Sequence, residues 1–220
     1  MITVIEPSWE WMELSKWKID KIEKHLEECG RNCYKSEDRI TNTSAPKFVE
    51  KICRRHHLSV LEHEGLTARI TCSRACSHQL VRHRIAAYSQ ESMRYCNYGK
   101  RGLQVICPPS IGVPPGMYEE FGLGSHGMNQ VQTDWLYCII MCYEEYLREL
   151  DNGVRPEDAR FVLPHATKTC VVTTFNMSMW RHVIEERGLN RHAQWEIRNI
   201  FHGIYEDLRA KIPSIFEDLE

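Results

Sequence analysis

Residues 82–95 read R-H-R-I-A-A-Y-S-Q-E-S-M-R-Y and concentrate positive charge in a chain whose formal net charge is −2. From Arg74 to Arg101 there are six Arg or Lys (Arg74, Arg82, Arg84, Arg94, Lys100, Arg101) and two His against one acid, Glu91. Guanidinium forks pair phosphate oxygens bidentately, and hydroxyls, amides and backbone N–H groups complete such a cradle. Tyr88, Ser89, Gln90, Ser92 and Tyr95 offer that second set of groups, so the stretch reads as an anion site. A generic polyanion binder carries basic charge over a whole face. The near-neutral balance of this chain argues for a small anion instead.

Other reactive residues are weighed in the same way. A serine nucleophile needs a positioned base. We read Ser92 as a phosphate or pyrimidine ligand, with His83 spent on a cofactor. The ten cysteines fall at 29, 33, 53, 72, 76, 96, 107, 138, 142 and 170, with no C-x-x-C pair. They are expected to be reduced thiols, mostly in the core, and not zinc ligands. His56, His57 and His63 lack a thiol or carboxylate at ligand spacing, so no metal site is expected.

These groups need elements to hold them. Ile2, Val4 and Ile5 suggest a first strand. Ser8 is placed to cap a helix through Trp9, Met12, Trp17, Ile22 and Leu26 that stops at Gly30. A second helix is predicted from Pro46 to His57, with proline in the first turn where its missing N–H is harmless. Leu66, Ala68, Ile70 and Cys72 alternate with polar residues as a half-buried strand does. A helix follows from Arg74 to about Arg84, with His78 and Arg82 on one face. The segment from Gly99 to Gly127 is rich in turn residues and reads as a loop. A long helix from Val131 to Leu150 ends at Asn152 and Gly153, and Arg155 to Leu163 forms a short one. Thr169 to Phe175 reads as a strand with Asn176 at its end, before helices from Met177 to Glu186 and Ala193 to Lys211.

Strands interspersed with helices, without regular alternation, predict an α+β fold: one domain over residues 1–220, with a mostly antiparallel sheet flanked by long helices. No apolar run approaches the ~20 residues of a membrane span. Met1 to Pro7 is too short for a signal peptide. A cytoplasmic protein without nucleic-acid or membrane partners is expected.

The motif pattern is similar to that of the flavin-dependent thymidylate synthases. Their signature is R-H-R, about seven residues, then S-x-R-Y. Here Arg82-His83-Arg84 is followed by seven residues and Ser92-Met93-Arg94-Tyr95. Cys33-Tyr34-Lys35-Ser36, Leu61-Glu62-His63, Gln79, Ala159 to Pro164, Trp180-Arg181-His182 and His192 to Arg198 also match, so the resemblance covers nearly the whole chain. It implies conversion of dUMP to dTMP, with methylenetetrahydrofolate as carbon donor, NADPH electrons passed through FAD, and tetrahydrofolate as product. It also implies a homotetramer with shared active sites.

The resemblance carries roles onto residues. FAD would be held by His57, Ser59, Arg82, His83, Arg84, Gln90, Asn176, Ser178 and His182. The dUMP site would comprise Gln79, Arg82, Gln90, Glu91, Ser92, Met93, Arg94, Arg160 and Arg187. Arg187 would act catalytically, its cation stabilising negative charge at the N3 and O4 edge of the pyrimidine. Where many relatives have Asn-x-Arg, this chain has Asn176-Met177-Ser178, and Arg181 or Arg191 is expected to replace the missing cation. From the residues alone another class stays open: a non-catalytic nucleotide or nucleic-acid binder, colourless and steeply salt-dependent.

Overall fold

The computed structural model describes residues 1–119 and 127–219. In chain order the elements are β1 (Ile2–Val4), β2 (Ser8–Trp11), α1 (Glu13–Lys18), α2 (Ile22–Asn32), α3 (Ala45–Arg54), β3 (Gly65–Ser73), α4 (Arg74–Leu80), β4 (Ala87–Gln90), α5 (Tyr98–Arg101), β5 (Leu103–Val105) and β6 (Gly116–Tyr118). Then come α6 (Gln130–Asp151), α7 (Pro156–Ala159), β7 (Lys168–Asn176), α8 (Met177–Val183), α9 (Trp195–Lys211) and α10 (Pro213–Phe216). The fold is α+β.

One sheet has the strand order β2-β3-β7-β4 and the other β5-β1-β6. In the first, Met12 N donates to Thr67 O while Glu10 pairs with Arg69, so β2 and β3 run antiparallel. The Oγ1 atoms of Thr67 and Thr174 hydrogen-bond, and Arg74 N donates to Thr167 O, which makes β3 and β7 antiparallel as well. In the second sheet β1 pairs parallel with β5 (Ile2↔Leu103) and antiparallel with β6 (Ile2↔Tyr118).

By contacts the chain forms two compact units, each assembled from three separated segments. The first comprises residues 1–8, 71–78 and 90–171. Its core gathers Ile2, Val4, Leu103 and Val105 with Leu136, Ile140, Tyr143 and Tyr146 of α6. A capping box at Asn129 and Gln132 starts that helix, and Gly153 follows its end with φ 84°. The second unit comprises residues 9–70, 79–89 and 172–220. Here Trp180 is fully buried, 4.8 Å edge-on to Phe175, and its Nε1 donates to Leu66 O.

Several expectations are corrected. Ser8 begins a strand, not a helix. Trp9 and Trp11 share one side of the chain, and the Trp11 side is buried once β3 is beside it, a partner invisible to local sequence. Gly30 is inside α2, where a Cβ would come 2.6 Å from the Phe48 ring of α3, so it serves close helix packing and not termination. The segment read as a loop supplies both partners of β1. Its strands are only three residues long, and their hydrophobic pattern is hidden among turn residues. Residues 120–126 of it lie outside those described. Helix α4 stops at Leu80, so Arg82 is in a turn, and α10 was not anticipated.

The cysteines are all free, and just Cys53, Cys72 and Cys76 are buried. On α6, Cys138 is exposed and Cys142 half-buried. No helix among the described residues is long and apolar enough to cross a membrane.

Candidate active site

The R-H-R stretch leaves α4 as a turn and is fastened by Tyr88. That half-buried hydroxyl lies 2.9 Å from Leu80 O and 2.8 Å from His83 O, donating to the carbonyls at both ends of the turn. Burial pushes the Tyr88 phenol up to about 12, against an opposing hydrogen bond with Thr173. The hydroxyl is thus a clamp on its own backbone and not the anion ligand expected of it. Arg82 and Arg84 on this turn are exposed and form no salt bridge among the described residues.

Between them His83 is buried. Its ring is 5.9 Å from that of His182, edge-on at 71°, and its Nε2 accepts from Arg187 Nε at 3.1 Å. Burial first, then the cationic Arg187 and the neighbouring His182, push the His83 imidazole down to about 4. His83 is therefore neutral near pH 7, with Nε2 as acceptor and the proton on Nδ1.

Arg187 reaches His83 from an unusual element, a π-helical turn over Ile184–Leu189 that widens the end of α8. Single π turns of this kind recur at functional sites because they re-aim a side chain. Gly188 makes it possible: a Cβ there would stand 2.9 Å from the backbone of Phe201 in α9. Arg187 forms no salt bridge with Glu185 or Glu186, its neighbours in sequence. Its terminal nitrogens engage no partner among the described residues.

The stretch from Gln90 onward belongs to the other unit, so the division between units falls at Ser89 and Gln90. Gln90 Nε2 donates to Ser77 Oγ at 3.0 Å and to Thr169 Oγ1 at 3.3 Å. Glu91, read as a ligand, is spent on structure: its carboxylate accepts from Lys168 Nζ at 2.9 Å and Tyr98 Oη at 3.3 Å. Arg74 donates to Glu91 O at 3.2 Å and Thr169 Oγ1 at 3.1 Å, holding the loop from beneath. Ser92 Oγ accepts from Arg94 N at 3.3 Å, and no titratable base hydrogen-bonds it among the described residues. Arg94 pairs with Glu157 at 3.2 Å, and Arg160 Nε donates to Glu157 O at 2.9 Å. Arg74, His78, Met93, Arg160 and His165 line one concavity of about 210 Å³.

The comparisons with known proteins meet this geometry. A family profile described as "Thymidylate synthase complementing protein" matches residues 16–214. The flavin-dependent thymidylate synthase of Geobacter sulfurreducens is 35% identical over 86% of this chain and 78% of its own length. The chain belongs to the flavin-dependent thymidylate synthases. It is thereby an enzyme of a flavin-using methyltransferase family. The enzyme of the same name from Mycolicibacterium vanbaalenii is 35% identical over 89% of this chain and 78% of its own. That of Thermococcus onnurineus is 39% identical, and this chain spans 62% of its length. A crystal structure of a UMP/dUMP methylase from Streptomyces cacaoi bound with 5-Br dUMP shares the fold, with TM-score 0.73, 22% identity and coverage of 98% and 96% of the two chains.

Among the residues that the flavin-dependent thymidylate synthase resemblance marks, the structure brings His83, His182 and Arg187 together. It sets Ser178 beside His182 in a cavity of about 500 Å³ with His56, Leu58 and Glu185. Asn176 caps α8, its Oδ1 accepting from Met179 N at 2.8 Å. Ser59 is exposed in the 3₁₀ turn Leu58–His63, His57 precedes that turn, and Gln79 is half-buried near the end of α4. Arg181 cannot replace a flavin-side cation. It is buried and forked onto Asp218 at 2.6 and 2.9 Å, and it also donates to Ile215 O. Sequence reasoning missed Arg74 and Lys168 as supports. The signal for Arg74 was its place in the charge cluster, but Lys168 carried none.

Proposed function

We propose that this enzyme converts dUMP to dTMP, taking the carbon unit from methylenetetrahydrofolate and the electrons from NADPH, with tetrahydrofolate as product. FAD, when bound, supplies the two-electron redox chemistry that couples NADPH oxidation to this methylation. Arg82 and Arg84 would hold its diphosphate, with His83, His182, Ser178, Asn176, Ser59, His57 and Gln90 completing the site. The fit rests on Arg82 and Arg84, exposed guanidinium groups without a carboxylate partner among the described residues, on either side of a neutral histidine. Such an uncompensated pair suits a dianionic group.

Gln79, Arg82, Gln90, Ser92, Met93, Arg94 and Arg160 would hold dUMP. Glu91 contributes by fixing the loop through Lys168. Arg187, oriented by its hydrogen bond to His83, would present its terminal N–H groups to the pyrimidine edge that gains negative charge. A preorganised cation there stabilises the transition state more than the ground state. The segments of the two units interleave along the chain, and we read residues 1–220 as one functional domain, working in the cytoplasm as a homotetramer with shared sites.

The observation that carries this reading is the contact between Arg187 and His83 inside a family-typical motif pattern. The visible spectrum of the purified protein tests it. A yellow, flavin-loaded preparation is expected whose reduced flavin is reoxidised by dUMP plus methylenetetrahydrofolate. A colourless protein that takes up no added FAD and binds nucleotide with steep salt dependence would establish the non-catalytic alternative instead.

A further inference from the structure

A second cationic cavity shares a single residue, His57, with the sites assigned above. It measures about 390 Å³ and lies where α2 and α3 end, lined by Arg31, Lys35, Arg39, Lys51 and Arg55 against one acid, Asp38. Two helix C-termini together carry roughly one unit of negative charge, which one or two cations would balance. Arg31 is committed already, since its Nε and Nη2 donate to the buried Glu27 at 3.1 and 2.7 Å and its guanidinium stacks 4.6 Å over Phe48. Lys35 Nζ donates to Asn32 Oδ1 at 2.9 Å. Arg39, Lys51 and Arg55 engage no side-chain partner among the described residues. Three unspent cations therefore converge on one concavity, more than the helix ends require.

Backbone geometry marks the same place. Among the described residues two non-glycine positions have positive φ, Lys35 at 46° and His56 at 55°. Lys35 lines the cavity, and His56 lies between Arg55 and His57, which both line it. Left-handed backbone at bulky residues persists where the surroundings impose it, and it gathers at binding sites. Tyr34, exposed at the rim, adds a flat aromatic face.

We propose that this cavity binds the polyanionic end of a cosubstrate, several phosphates or carboxylates tethered to a planar ring. The inference rests on the function proposed above, which calls for two molecules of that chemistry. NADPH carries a 2′-phosphate and a diphosphate on adenosine, and folate carries glutamate carboxylates beyond its aromatic rings. The cavity supplies point charges for the anions, and Tyr34 a surface for the ring.

The test uses the full-length, flavin-loaded protein and three single variants, Arg39→Gln, Lys51→Gln and Arg55→Gln. Each is titrated calorimetrically with two probes, 2′-phospho-ADP-ribose and tetra-γ-glutamate. At least one probe is expected to bind the wild type, with each variant weakening it about ten-fold, while flavin absorbance and dUMP affinity stay unchanged. The responding probe identifies the source of the anion. Three results would each overturn the proposal: no binding of either probe, binding indifferent to all three substitutions, or loss of flavin from the variants, which would assign the cavity to the cofactor. A preparation that never takes up flavin would instead sink the proposed function, and the same titrations on that protein would still judge the cavity.

Discussion

His83 shows how one residue couples the site to stability. In the unfolded chain its imidazole titrates near 6.5, whereas in the folded protein it is pushed down to about 4 by burial, Arg187 and His182. Between those values the unfolded state holds a proton that the folded state refuses, so stability falls as pH drops from about 6.5 towards 4. The full effect is on the order of 2–3 kcal/mol. Urea denaturation at pH 7 and pH 4.5 should show this loss, and His83→Asn should remove most of it; an unchanged loss in the variant would mean the histidine is not held neutral. Arg187→Ala should lower turnover about 100-fold or more while the flavin remains bound. Ser92→Ala should retain measurable turnover, because among the described residues no base is poised on that hydroxyl. Complete inactivity with intact dUMP affinity would restore the serine as a nucleophile.

At the scale of the element, the π turn Ile184–Leu189 is the device that turns a helix end towards the candidate site. It exists because Gly188 lets the turn press against the backbone of Phe201. Gly188→Ala would force that contact apart, since neither backbone can yield as a side chain can. We expect a loss of about 1–3 kcal/mol in stability, and a fall in turnover larger than any fall in flavin content, as Arg187 loses its aim. A melting temperature equal to the wild type would show that the close approach is not a constraint. The turn carrying Arg82 to Arg84 is held in a comparable way by the single hydroxyl of Tyr88.

For the whole molecule, the proposed shared sites would make activity a property of assembly. If each flavin site draws residues from several chains, a separated chain lacks a complete site however well it folds. Sedimentation of the active protein should give four times the chain mass, and specific activity should fall on dilution in step with the loss of that species. Undiminished specific activity in a monomeric sample would remove the shared-site proposal. The chain's own two units do not alter this expectation, since their segments alternate along one chain.

By itself the sequence determined the α+β class, the long helix α6, the strands β3 and β7, and the chemical character of residues 82–95. These are local signals: hydrophobic period, caps, and charge set against its absence elsewhere. Tertiary structure alone decided which polar groups are free. Tyr88 and Glu91 looked like ligands but are consumed by the backbone turn and by Lys168, and Arg181 by Asp218. Local sequence also could not show that Ser8–Trp11 pairs with β3, or that glycines 30 and 188 answer to Phe48 and Phe201. The physical reason is the same in each case: a hydrogen bond, an ion pair or a close approach depends on a partner far along the chain, and only folding brings that partner into range.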